Sequence, residues 1–155
     1  MNIRSLTRGD GVVIGAAVLL FIASFLDFVD LGNTAWDSLG TVMSIYVADI
    51  AAAALIVVAR GLPQTRKFLG MDLGQFGVAL SIFAAWTALW TLIDVGSFAG
   101  TGLIIGFIAT LILAGAAIAT PLLPALKPAL IGPPKPQAPT PYGAQPQAYG
   151  YPGQQ

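Results

Sequence analysis

Residues 39–59 read LGTVMSIYVADIAAAALIVVA, twenty-one positions with a single charge, Asp49, near the middle. At 1.5 Å per residue such a helix is about 32 Å long, which matches the roughly 30 Å hydrocarbon core of a bilayer. A helix this long and apolar on every side is a membrane span, since a surface helix of a soluble protein keeps a polar face. Asn33, Trp36 and Asp37 occupy a loop before it, and Arg60 ends it.

Three more apolar blocks lie around this one. Gly11 to Leu26 carries no charge over sixteen residues, about 24 Å of helix. Extending it to Leu31 puts Asp27 and Asp30 at the far interface, with Arg4 and Arg8 holding the near one. A basic start before an apolar run also fits a signal peptide, but no small-x-small cleavage site precedes Asp27, so the block reads as a retained signal anchor. Leu73 to Ile93 lies between Asp72 and Asp94; after a Gly-rich turn, Gly102 to Thr120 runs up to Pro121 and Pro124. The segment between Arg60 and Asp72 contains Pro63, Arg66 and Lys67 and reads as a polar loop whose Phe68-Leu69 end touches the membrane surface.

The sequence therefore predicts an all-α fold, a four-helix transmembrane bundle of two hairpins with spans at about 11–31, 39–59, 73–93 and 102–120. Residues 1–10 precede the bundle at 11–120, and 121–155 follow it. Arg4, Arg8, Arg60, Arg66, Lys67, Lys127 and Lys135 all fall on one side, and no basic residue falls in the other two loops. The positive-inside rule then makes both termini and the middle loop cytoplasmic, in a multi-pass protein of the plasma membrane. Trp36 and Trp90 lie near the outer boundary, where amphipathic rings settle.

Over the 155 residues, 56% are hydrophobic and 9% charged, against roughly 25% charged in an average soluble domain. There is no cysteine, histidine or glutamate; all seven acids are aspartate, balanced by seven Lys and Arg. That removes thiolate nucleophiles, imidazole bases, disulfides and the usual zinc and haem ligand sets. The balanced charge offers no face for nucleic acid. No catalytic residue, cofactor or metal site is predicted, and the protein reads as a non-enzyme whose first partner is the lipid bilayer. Asp27, Asp30 and Asp37 at the outer surface could hold a divalent ion for lipid chemistry, but hydrated interfacial acids explain them more simply.

Asp49 is thirteen residues from Trp36 and eleven from Arg60, roughly 20 Å and 16 Å along a helix, hence mid-membrane. A carboxylate there costs about 2.5–3.5 kcal/mol on insertion scales, and no Lys or Arg lies within a span to pair with it. The protonated acid is expected, donating to Tyr46 one turn earlier or to a Ser or Thr of a neighbouring helix. Two roles are open to it: interhelical glue, or a proton- or ion-binding site of a translocating subunit.

Small residues mark where helices approach. Gly77, Ser81, Ala84, Ala88 and Thr91 form one face of the third span, opposite an aromatic stripe of Phe76, Phe83, Trp86 and Trp90 that reads as lipid-facing. Gly102, Gly106, Thr110 and Ala114 form a ladder on the fourth, and Gly11 with Gly15 a G-x-x-x-G on the first. These serve packing within the bundle or, alternatively, a homo-oligomer.

Ten of the eleven prolines fall between Pro121 and Pro152, among Gln, Gly, Ala and Tyr, the composition of a disordered cytoplasmic tail. Pro133, Pro136 and Pro139 give P-x-x-P spacing suited to polyproline II, and Tyr142, Tyr149 and Tyr151 are candidate docking side chains for protein partners.

Leu6-Thr7-Arg8-Gly9-Asp10, Ala23-Ser24-Phe25-Leu26-Asp27 and Ala35-Trp36-Asp37, together with four spans and a Pro/Gln/Tyr/Gly tail, resemble uncharacterised small integral membrane proteins of actinobacteria, of the mycobacterial 34-kDa antigen type. The resemblance implies a plasma-membrane location and association with envelope or cell-division machinery, and it carries over no catalytic residue. The expectation is an adaptor or scaffold that presents its tail to such partners. Its rival is a proton- or ion-translocating subunit using Asp49.

Overall fold

The computed structural model describes residues 3–131. The first long helix, α1, is Arg8–Ala23. Thr7 and Asp10 start it with a reciprocal cap: the Asp10 amide donates to the Thr7 hydroxyl at 3.3 Å, and the Thr7 amide and hydroxyl both donate to the Asp10 carboxylate at 2.8 Å. Donors that the first turn leaves orphaned are thereby satisfied.

Helix α1 ends well before Leu31. The Ser24 hydroxyl donates to the Phe21 carbonyl at 2.7 Å, the chain turns, and β1 (Asp27–Val29) pairs antiparallel with β2 (Asn33–Thr34). Gly32, at φ +80°, supplies the reversal. The polar backbone after Ala23 finds its partners in this hairpin and in the loop at 98–100, where the Asp30 amide donates to the Phe98 carbonyl and the Gly100 amide to the Phe28 carbonyl, each at 3.0 Å. A further helical turn would have left the amides and carbonyls of residues 28, 30, 98 and 100 without these partners.

Helix α2 runs Leu39–Gly61, α3 fills Leu73–Val95 and α4 Thr101–Leu122. Three helical stretches, Leu39–Gly61, Leu73–Phe98 and Thr101–Leu122, are long and apolar enough to cross a membrane. The sixteen residues of α1 span about 24 Å, short of the twenty or so that a bilayer core requires. Within α2, Val42–Val47 forms a wider π-helical turn. Helix α4 continues one residue past Pro121, because a proline in the last turn forfeits one bond to the preceding turn and the Leu123 amide still reaches the Ala119 carbonyl at 2.8 Å.

Each helix packs on the next in sequence, and α4 closes the ring on α1. The core inside the ring is made of Val13, Leu20, Ile45, Tyr46, Leu103 and Leu113, all at most 1% exposed. Outward the bundle shows large apolar side chains, Val18 and Phe21 on α1, Phe83 and Trp86 on α3, Ile108 and Leu111 on α4, each about half exposed. A surface of that kind is at home in lipid and a liability in water.

Between α2 and α3 the predicted polar loop contains a short hairpin, β3 (Lys67–Phe68) and β4 (Met71–Asp72), with Lys67 opposite Asp72. Leu69 and Gly70 make its turn at φ +51° and +83°, a two-residue turn with both positions left-handed. Phe68 meets Phe76 of α3 edge-on at 5.3 Å, and Leu69 at the tip is 81% exposed.

Candidate functional site

Asp49 lies on α2, fully buried, eleven positions into a helix of twenty-three residues. Neither of its carboxylate oxygens has a hydrogen-bond partner among the described residues. Its expected donors and acceptors are engaged elsewhere. The Tyr46 hydroxyl crosses to α4 and donates to the Gly102 carbonyl at 2.9 Å. Ser81 on α3 donates to the Val78 carbonyl at 2.8 Å, and Thr110 on α4 to the Phe107 carbonyl at 2.7 Å, each within its own helix. The polar tie between helices in this core therefore belongs to Tyr46, and Asp49 is a buried acid left over.

The small residues separate by what they meet. A Cβ on Gly106 would lie 2.7 Å from the Tyr46 hydroxyl oxygen, so this glycine makes the room in which the ring reaches Gly102. A Cβ on Gly102 itself would come within 2.7 Å of the Leu26 carbonyl oxygen and 2.8 Å of that of Ala23, where the end of α1 crosses α4. On α3, Gly77 faces the Ala52 carbonyl oxygen of α2 at 2.8 Å by the same measure, and Ser81, Ala84 and Ala88 continue that buried face. Thr110 and Ala114 are buried along α4, while Thr91 is half-buried. On the opposite face of α3, Phe83, Trp86 and Trp90 are more than half exposed, whereas Phe76 is half-buried against the hairpin.

Within one chain, Gly11 and Gly15 form no seam between helices. Gly11 lies against the side chain of Leu130, beyond the end of α4, and Gly15 has open space around it. The G-x-x-x-G spacing marks a face of α1, but the helix turns that face away from its partners at Gly15.

The three stretches that carry the resemblance are structural joints. Leu6 to Asp10 builds the α1 cap, buries Leu6, and seats Gly9 against the Thr120 side chain of α4. The Asp10 carboxylate, 1% exposed, also meets Arg60 Nε at the end of α2 at 3.6 Å, and the Ser5 hydroxyl donates to the Arg60 carbonyl at 2.8 Å. The other two stretches meet at the opposite end. Trp36 stacks on Phe25 with centroids 5.7 Å apart and donates from Nε1 to the Ser24 hydroxyl at 3.2 Å. The Asp37 carboxylate accepts from the Thr34 amide at 2.7 Å, capping the short turn at 35–37. Asp37 is thus a cap, and among the described residues no three acids gather into a metal-binding group.

A second contact around α1 has no counterpart in the sequence pattern. The Arg8 amide donates to the Pro128 carbonyl at 2.9 Å and the Leu130 amide to the Leu6 carbonyl at 2.8 Å, with Thr7 and Ala129 bridged antiparallel between them. Prolines at 121, 124 and 128 signalled only a break in helix. Pro133, Pro136, Pro139, Tyr142, Tyr149 and Tyr151 lie outside the described residues.

No protein-family model, curated protein or solved structure matches this chain.

Proposed function

We propose that the protein is a non-enzymatic membrane anchor of the plasma membrane, an adaptor that holds residues 132–155 at the cytoplasmic face for envelope or cell-division partners to dock on. The observation that carries this reading is the backbone pairing of Leu6–Arg8 with Pro128–Leu130. It fixes the departure point of the Pro/Gln/Tyr-rich segment against the start of α1, at the end of the bundle that also bears Arg60, Arg66 and Lys67. The positive-inside rule assigns that end to the cytoplasm.

In this reading α1 is a fourth, short crossing. It closes the helix ring and turns Val18, Phe21 and Ile22 outward, each more than half exposed. Local thinning of the bilayer accommodates its length.

Crosslinking and mass spectrometry in cells, on the tagged full chain beside one ending at Ile131, test the docking role. Partners captured only with residues 132–155 present support it. The same set from both chains, or no partner from either, overturns it.

A second reading has its own observation, the orphaned carboxyl of Asp49. A buried polar group without a partner costs free energy and is retained where a ligand or a proton satisfies it. As a proton- or ion-translocating subunit, the chain reconstituted in vesicles should dissipate a gradient and lose that flux on Asp49→Asn. No flux from the native chain, or equal flux from the variant, eliminates this role.

A further inference from the structure

At the basic end a cleft of about 420 Å³ opens among the last turn of α2, the hairpin segment, the start of α3 and the end of α4. This volume is within the range of ligand-sized clefts, about 300–1,000 Å³. Its wall is of two kinds. Ile56, Val78 and Pro121 give an apolar side, continuous with the helices whose outer surfaces face lipid, while Arg60, Arg66 and Gln75 give a polar rim.

The charges around the rim can be counted. Arg60 shares its guanidinium with Asp10 through Nε. Lys67 stands opposite Asp72 across the hairpin, and Asp72 also lines the cleft. Arg66 is exposed and makes no ion pair among the described residues. Three cations against two carboxylates leave one positive charge, carried by a guanidinium whose planar fork suits phosphate. Pro121 has no N–H for the Ala117 carbonyl one turn before it, and both residues line the cleft.

We propose that this cleft binds the headgroup of an anionic glycerophospholipid, with its phosphodiester on Arg60 and Arg66 and its acyl chains leaving along the Ile56, Val78 and Pro121 wall into the bilayer. Basic pockets between membrane helices at the cytoplasmic side are built for such groups. A single phosphodiester cancels the residual charge. A zwitterionic headgroup brings an ammonium of its own and leaves that charge uncancelled. The site makes no use of residues 132–155, so it and the docking role stand or fall separately.

Native mass spectrometry of the full chain released from detergent micelles tests it, with phosphatidylglycerol, phosphatidylethanolamine, phosphatidylcholine and soluble glycerol 3-phosphate as probes. One phosphatidylglycerol should be retained in preference to the two zwitterionic lipids. Arg66→Gln should weaken that retention roughly tenfold, the order of one charge-assisted hydrogen bond. Lys127→Gln, which removes a positive charge from the same end of the bundle but outside the cleft lining and outside that charge count, should leave it unchanged. Equal retention of all three lipids, or an equal loss in the two variants, contradicts the site. Displacement of the lipid by glycerol 3-phosphate at matching concentration identifies a soluble phosphate as the occupant and overturns the lipid assignment.

Discussion

At the end of the bundle that carries Asp27, Asp30, Asp37 and Asp94, α1 and its hairpin meet α4 and the loop before it backbone against backbone, beside the stack of Trp36 on Phe25. Gly100 lies directly on the Asp27 carbonyl of β1 and Gly102 on the carbonyls of Ala23 and Leu26 at the end of α1, and the hairpin at 27–34 is hydrogen-bonded to the loop at 98–100. At the opposite, basic end the helices themselves meet through side chains, and the backbone pairing of Leu6–Arg8 with Pro128–Leu130 ties α1 to the segment after α4. Asp10 meets Arg60, Ser5 reaches the Arg60 carbonyl, and Gly9 rests on the Thr120 side chain. A backbone joint has no slack, because neither partner can rotate away, whereas a side-chain joint can rearrange. The acidic end is thereby the rigid closure of the bundle. The basic end keeps the cleft and the departure point of residues 132–155.

The largest effect should come from setting a methyl group against each kind of joint. Gly102→Ala forces a Cβ into the carbonyls of Ala23 and Leu26 and should cost about 3 kcal/mol or more, seen as lost monodisperse protein or a collapsed melting temperature in detergent. Gly9→Ala should also destabilise, but by less: turning the Thr120 hydroxyl aside, at the expense of its 2.6 Å bond to the Ala116 carbonyl, relieves part of the clash and leaves only the Thr120 Cβ at 2.8 Å, which a small parting of α1 and α4 must accommodate. Gly15→Ala, with open space around it, should be neutral or stabilise by up to about 1 kcal/mol. If the first two variants melt alike, the contrast between the ends is wrong.

Asp10→Ala is the corresponding change at the basic end. It removes the α1 cap and the Arg60 contact together and should lower stability by about 1–2 kcal/mol. Tyr46→Phe, in the middle of the bundle, deletes the hydroxyl that ties α2 to Gly102 and should cost about 0.6–1.5 kcal/mol by thermal unfolding. The smallest effect belongs to Trp36→Phe, which keeps the stacking on Phe25 and loses only the 3.2 Å bond to Ser24. A drop of about 0.5 kcal/mol is expected. A larger drop would make Trp36 a main fastening of the acidic end.

The spans at 39–59, 73–93 and 102–120 were readable because each is an apolar run closed by charge, glycine or proline, and the observed helices end within two residues of those limits. The buried faces of α3 and α4 were readable for a related reason, since small residues at spacings of three and four lie on one side of a helix. The end of α1 was hidden. Ser24, Phe25 and Leu26 continue the apolar block, and the groups that stop the helix are carbonyls and amides of residues 27–30 and 98–100, which leave no periodicity. Gly11 and Gly15 carried a packing motif without saying what faces it, and Gly11 received Leu130. Asp49 falls at mid-helix and is buried, and its expected bond to Tyr46 does not form, because the glycine at 106 opens a path for that hydroxyl to the carbonyl of residue 102. The cleft at the basic end depends on four segments far apart in sequence and had no local signal at all.

In the proposed reading the two ends of the bundle lie on opposite sides of a membrane, with the basic end inside. The chain has no cysteine, so single reporters can be placed without interference: Asn33→Cys in the acidic-end hairpin and Gln64→Cys in the basic-end loop, both exposed. A membrane-impermeant maleimide added to intact cells should label residue 33 at once and residue 64 only after permeabilisation. Labelling of both in intact cells, or of residue 64 alone, would contradict it.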